Sequence, residues 1–288
     1  MSPSLKELVQ NAHRGNDLVV TGPHYEWQDL GENGQVPSME AIAHVVKVLL
    51  GHFKHPRKGR FSPSSMGGCA RAIVFGYAGA PQEVSDPELD EMASHGTFGH
   101  LRWQVEGLTM GYMTAAEVWV EDKDLLIGGS MDGELHDSSI FELKTKAPGP
   151  YTRITADAQD PPFPVQMQVH TYFLLSGADW ASVVYENRAY GSFYEFRVAR
   201  DAKIEREVIR RLNAYRRHVE DNVLPPMLGD CEYKIGTTYH GCPYRKICPT
   251  MSKVSEAEAL HRPEDELVLD IPEWAVDLLN RITQAEQA

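Results

Sequence analysis

Apolar residues at Ile42, Val45, Val46, Leu49 and Leu50 recur at helical spacing and predict a helix over 37–50. A basic Pro/Gly-bearing loop, 51–65, follows, with Lys54, Arg57, Lys58 and Arg60. Ser64 or Ser65 is placed to cap a helix running to Tyr77. An acidic loop over 81–90 leads into a long helix expected over 91–110. The pattern then turns to period two, predicting strands over 117–121, 124–136 and 139–146. A helix over 165–176 is followed by strands over 181–189 and 192–198, which meet at Tyr190-Gly191 as a hairpin. A long helix over 201–221 precedes a cysteine-rich segment and an acidic tail. Residues 1–35, with Gly15, Gly22, Gly31 and Gly34, read as irregular. No internal repeat interrupts this order.

Strands mixed with helices give an α/β (α+β) class with a mixed sheet. The 288 residues, 42% hydrophobic and 24% charged, suffice for a sizeable core without staples. No apolar run approaches a membrane span, and the first thirty residues, which contain Asp, Glu and His, are unlike a signal peptide, so a cytoplasmic protein is expected. The net charge of −13 argues against a simple basic DNA-coating protein. It is unevenly spread: 255–288 carries nine acids against Arg262 and Arg281, and 84–93 adds four more. The remainder is nearly neutral and can hold local basic patches.

The most informative stretch is 125–146. Period two puts Leu125, Ile127, Met131 and Leu135 on one face of the first strand, and Asp132 and Glu134 on the other. After the turn at 136–139, Phe141 and Leu143 share one face and Glu142 and Lys144 the opposite one. Antiparallel pairing then brings Asp132 beside Glu142. Two hard oxygen ligands at a strand crossing suit Mg²⁺ or Mn²⁺, and Lys144 would steer a water or stabilise charge in phosphate hydrolysis. The alternative is a surface hairpin with an ion pair. His100, in Gly96-Thr97-Phe98-Gly99-His100, is either a further ligand or a structural histidine. Gln168 and Tyr172, four apart, share a helix face.

Four cysteines, Cys69, Cys231, Cys242 and Cys248, split one plus three. Their number suits an iron–sulfur cluster or a zinc ion, or they are unliganded buried thiols. Pro249 directly follows Cys248, as is common after a cluster's last cysteine. A cationic stripe, Lys203, Arg206, Arg210 and Arg217, flanked by Arg211 and Arg216, reads as a phosphate-contacting or simply solvated helix face. Trp103, Tyr151 and Tyr172 are stacking candidates for unpaired bases, or core.

In this order the motifs resemble the PD-(D/E)XK nuclease superfamily in its RecB-like iron–sulfur branch, and look most like the CRISPR-associated RecB-like exonucleases and their phage relatives. The resemblance rests on Ser64…Cys69-Ala70-Arg71, His100, Asp132 within Gly128-Gly129-Ser130-Met131-Asp132-Gly133, Glu142-Leu143-Lys144, Gln168…Tyr172 and Gly241-Cys242…Cys248. It implies a restriction-endonuclease-like core over 59–250; 1–58, read as an N-terminal helical or irregular extension, and 251–288, an acidic tail, have no counterpart in the pattern. The implied activity is a Mg/Mn-dependent deoxyribonuclease, a DNA exonuclease in recombination, repair or processing. The alternative is a DNA-binding or CRISPR-adaptation accessory module with little cleavage. Implied catalytic residues are Asp132, Glu142, Lys144 and Gln168. Implied metal ligands are His100, Asp132, Glu142 and the Leu143 carbonyl. A [4Fe-4S] cluster on Cys69, Cys231, Cys242 and Cys248 would clip the two ends of the core together. Arg71, Tyr172, Arg206 and Arg210 are the implied DNA contacts. Expected partners are DNA ends, a single-strand annealing protein and a homo-oligomeric copy. The chain departs from the pattern in placing Met131, not proline, before Asp132. Tyr239 stands where a cysteine is expected, leaving Cys231 or His240 as the third C-terminal ligand.

Overall fold

A computed structural model describes residues 18–32, 36–51, 59–80, 87–156, 159–226, 242–244 and 247–248. Cys231, Tyr239, His240, Lys54 to Lys58 and the acidic tail lie outside these residues.

Two helices, α1 (Thr21–Glu32) and α2 (Met39–Gly51), come first. A short 3₁₀ turn at Pro63–Ser65 and α3 (Ala70–Ala78) follow, then α4 (Pro87–Met110). Next come the strands β1 (Met113–Asp122), β2 (Ile127–Leu135) and β3 (Ile140–Lys146), and the helices α5 (Pro148–Thr155) and α6 (Phe163–Ser176). The chain continues through β4 (Trp180–Asn187), β5 (Phe193–Ala199) and α7 (Ala202–Glu220). The five strands form one mixed sheet in sequence order. Only the β3–β4 pairing is parallel, with Ile140 opposite Ala181 and Lys146 opposite Asn187. A parallel pair needs a crossover rather than a tight turn, and α5 and α6 supply it.

The crossover covers both faces of β3 and β4: the first four residues of β3, Glu142 among them, and all of β4 after Trp180 are buried. On one face Ile140, Val183, Tyr185 and Phe196 pack against Val169, Tyr172 and Phe173 of α6. On the other, Phe141, Leu143, Val184 and Phe193 pack against Trp103 of α4, with Val20 and Tyr25. A third cluster joins Phe61, Met66 and Ile73 to Met167 of α6 and to Val208, Leu212 and Tyr215 of α7. None of the described helices is long and apolar enough to cross a membrane.

The fold corrects four local expectations. Residues 1–35 are not wholly irregular, because α1 forms at Thr21. Its first turn is completed by Glu195 of β5, whose buried carboxylate accepts from the amides of Val19 (3.1 Å), Val20 (3.3 Å) and Thr21 (2.9 Å) and from the Thr21 hydroxyl (2.6 Å). A helix start otherwise leaves such amides without acceptors. Ser64 and Ser65 do not cap a helix; they form the 3₁₀ turn, and Cys69 is the residue that caps α3. The long helix begins at Pro87 rather than 91; α5, where the sequence pattern predicts no element, starts at Pro148, whose fixed φ suits a first helical turn.

The fourth correction bears on the site. Met131 and Leu135 do not share a face: Met131 packs on the α6 side and Leu135 on the α4 side. The alternation breaks between them, at Asp132. There β1 pairs Ala116 with Gly133 and Val118 with Met131, while Glu117 in between takes φ +51°. That left-handed backbone is uncommon outside glycine, and it falls opposite Asp132, where the alternation breaks.

Close packing also explains a glycine. A Cβ on Gly67 would lie 2.4 Å from the Pro164 Cα at the start of α6. Gly67→Ala is therefore expected to push the 3₁₀ turn off α6 and cost about 1–3 kcal/mol, as overpacking does, read as a lowered midpoint in urea denaturation.

Candidate active site

Asp132 and Glu142 stand at the point where β2 and β3 separate. The ladder between them pairs Glu134 with Ile140 and Gly133 with Phe141. One step further, the Asp132 side chain replaces the backbone as partner, and its Oδ2 accepts the Leu143 amide at 2.7 Å. Its Oδ1 meets the His100 Nδ1 at 3.1 Å. His100 reaches this point because Gly96 and Gly99 let α4 lie directly on β3. A Cβ on Gly99 would sit 3.1 Å from the Thr145 Cγ2.

Glu142 is 1% exposed and lies on the α6 side. Its Oε1 accepts from the Lys144 Nζ at 2.5 Å and from the Gln168 Nε2 at 2.8 Å. Gln168 accepts a second hydrogen bond from Lys144, at 3.0 Å. The Glu142 Oε2 is buried and has no hydrogen-bond partner.

The charges push the groups apart. Burial pushes the Glu142 carboxyl up to about 7, with Asp132 adding to the rise and Lys144 opposing it. Burial acts on Asp132 in the same sense, but His100, Lys144 and the Leu143 amide outweigh it, and its carboxyl is held below the usual range. Burial would lower Lys144, yet Glu142 and Asp132 more than compensate and keep it a firm cation. Burial likewise disfavours His100 as a cation, and Asp132 reverses that.

Among the described residues, no three His, Cys, Asp or Glu side chains enclose a metal position as they stand. The donor chemistry nevertheless suits a hard divalent cation: the carboxylates of Asp132 and Glu142, the His100 imidazole and the adjoining β3 backbone. The orphaned Glu142 Oε2 is the specific sign. A buried carboxylate oxygen without a donor is costly, and a divalent cation would supply the missing partner.

Two further residues absent from the sequence motifs, Gln104 and Glu117, hold this arrangement together with Ser130. Gln104 of α4, fully buried, donates at 2.9 Å both to the Asp132 carbonyl and to the Glu117 Oε1. Ser130 donates to the Glu117 Oε2 at 2.9 Å. The backbone around Asp132 is thus clamped from α4 and β1, and from α6, where the Tyr172 hydroxyl donates to the Ser130 carbonyl at 2.6 Å. No local pattern announces Gln104 or Glu117, because their partners lie on other elements. Gln104→Leu leaves the Asp132 carbonyl and the Glu117 carboxylate short of a donor and is expected to cost about 1–3 kcal/mol. Thermal melting reads the cost.

The residues considered as DNA contacts are placed variously. Tyr172 is 3% exposed, and burial keeps its phenol firmly protonated. It is spent on the β2 backbone rather than offered to bases. Trp103 is likewise core, donating to Glu186 at 3.0 Å. Arg71 is buried as well, and its guanidinium faces the interior. On α7, Arg206 is exposed, while Arg210 and Arg211 both pair with Glu207, at 2.7 and 2.8 Å. A different cationic group borders the site. Lys146, two residues beyond Lys144, is half-buried, and its ammonium is lowered by burial and by the charges of Lys144 and Arg188. The Arg188 amide donates to the Lys146 carbonyl at 2.9 Å.

Cys69 opens α3, and Cys242 and buried Cys248 pack with Phe75 and Tyr244 against that helix. Cys231 and His240 lie outside the described residues.

No protein-family model matches the chain, and no curated protein matches it. Among solved structures, it is similar to the alkaline exonuclease LHK-Exo from Laribacter hongkongensis, at 17% identity over 58% of this chain and 90% of that one, with a TM-score of 0.43. LHK-Exo in complex with dAMP gives 16% identity over the same shares and a TM-score of 0.46. A phage-related exonuclease from Haemophilus somnus 129PT is 17% identical, over 59% and 96% of the two chains, with a TM-score of 0.34.

Proposed function

We propose that the chain is a divalent-metal-dependent DNA exonuclease carrying a structural [4Fe-4S] cluster. The observation that carries the reading is the buried group of Asp132, Glu142, Lys144 and Gln168, with the Glu142 Oε2 unpartnered. The motif resemblance supplies the preference for DNA ends.

Asp132, Glu142, His100 and the Leu143 carbonyl would hold Mg²⁺ or Mn²⁺. Bound there, such an ion supplies Lewis-acid polarisation and charge neutralisation at the scissile phosphate. The chain's own work is orientation. Lys144, held as a cation by Glu142 and braced by Gln168, aims its one remaining proton at the attacking water or at a non-bridging phosphate oxygen. Gln168 fixes both partners of that pair, so the ammonium does not wander as charge develops. The α4 and α6 contacts keep the Asp132 backbone from relaxing toward a regular ladder. Lys146 and Arg188 supply the positive field that draws the strand in. Cys69, Cys242 and Cys248, with Cys231 or His240, would hold the cluster, joining the start of α3 to the C-terminal segment.

The test uses anaerobically purified full-length protein. End-labelled linear DNA, duplex and single-stranded, is compared with covalently closed circles, with Mg²⁺, Mn²⁺ or EDTA. The expected result is nucleotide release from linear DNA, circles spared and activity abolished by EDTA. Cleavage that persists in EDTA overturns the metal role. DNA binding with no cleavage under either metal leaves a binding module instead. Lys146→Met is expected to raise KM several-fold with kcat nearly unchanged. It should also reduce the slope of log affinity against log salt by about 1, the mark of one lost phosphate contact. An unchanged slope removes Lys146 from the strand's path.

A further inference from the structure

Arg71 is a buried cation with donors left over. It lies on α3 two positions after Cys69 and is 5% exposed. Its Nη1 donates to the Pro225 carbonyl at 2.9 Å, and its guanidinium sits 5.8 Å from the centre of the Phe75 ring. Nε and Nη2 are buried with no hydrogen-bond partner. A guanidinium cannot shed its proton to escape such a position. A buried charge persists when something of opposite sign completes it, and among the described residues no carboxylate does so.

The neighbourhood points to what does. The Phe75 ring that Arg71 rests on belongs to the cluster containing buried Cys248 and Tyr244, with Cys242 packed against it. Cys69 opens the same helix. A metal centre ligated by several thiolates carries net negative charge and presents sulfur acceptors. Nucleic-acid phosphate fits poorly, because the donors are beneath the surface.

We propose that Arg71 is the counter-cation of the thiolate-ligated cluster, giving its Nε–H and Nη2–H to the cluster's sulfurs. This rests on the cluster reading above. Arg71 then acts as a positioning and tuning residue, taking no part in phosphodiester chemistry. Donors and positive charge near the sulfurs favour the reduced, more negative cluster and raise its potential.

The experiment uses anaerobically purified full-length wild type, Arg71→Lys and Arg71→Met. Iron, acid-labile sulfide and zinc are measured, and the cluster is titrated electrochemically by its visible and EPR signals. Wild type is expected to hold iron and sulfide. Arg71→Lys keeps the iron but reduces at a more negative potential. Arg71→Met shifts further or loses most of its iron; should it fail to fold, Arg71→Lys still decides the matter. A variant with wild-type iron and an unmoved potential overturns the role of Arg71 while leaving the cluster intact. If wild type carries zinc instead, competition with a chelator replaces the potential, and unchanged zinc affinity in Arg71→Lys is the overturning result. Wild type without iron or zinc sinks the cluster reading and the proposal together, and is recognised before any variant is made.

Discussion

Lys144→Met should slow DNA cleavage by about a thousandfold, the scale on which removing one preorganised donor to a developing charge acts. Lys144 is bonded to Glu142 at 2.5 Å and to Gln168 at 3.0 Å, so its position is shared by both. Methionine keeps the stem's volume and removes the charge. The fold should survive, because Glu142 is already pushed up to about 7 by burial and can take a proton when its partner is gone. Single-turnover cleavage of end-labelled duplex, beside circular dichroism, reads both effects. A rate within tenfold of wild type would take Lys144 out of the reaction and return the hairpin to a structural ion pair.

Glu195→Ala should have the largest effect on stability, about 3 kcal/mol. The loss strips acceptors from the buried Val20 and Thr21 amides, from Val19 and from the Thr21 hydroxyl, and an unsatisfied buried donor costs about 1–3 kcal/mol. The damage should spread. α1 seats His24 in a stack on Trp103, with ring centroids 4.2 Å apart, and against Glu106 at 2.7 Å. Trp103 and Glu106 belong to α4, the helix that presents His100. Hydrogen exchange should therefore accelerate first over 19–27, with cleavage weakened though no site residue has changed. A variant losing less than about 1 kcal/mol would show that the start of α1 is held by its apolar contacts instead.

The two effects mark what local sequence can and cannot express. Asp132, Glu142 and Lys144 lie on one hairpin, and their relation follows from period two and a four-residue turn; Gln168 follows from the helical period of the next apolar segment. All four come within 37 residues of chain. The α1 start was illegible for the opposite reason. Its acceptor, Glu195, stands some 175 residues away, and nothing near Thr21 signals it. The same holds for Gln104 and Glu117, whose meaning arises only when α4 crosses β1 and β2. Alternation itself misled at Met131, because period two presumes a regular strand and β2 is not regular at Asp132. At Arg71, the resemblance implies a DNA contact, and only the packed α3 reveals it as interior.

The left-handed backbone at Glu117 matters beyond the site. β1 is an outer strand of the sheet, and its register also slips between Met113 and Ala115. A straight margin would offer a row of unpaired amides and carbonyls to any passing chain. This one is interrupted by the left-handed residue at Glu117 and by the slip at 113–115, and bears Glu117, Glu121 and Asp122, so it makes a poor template for fibrillar growth. A substitution that ironed it flat would loosen the hold on Asp132 and, at the same stroke, leave the molecule prone to clumping.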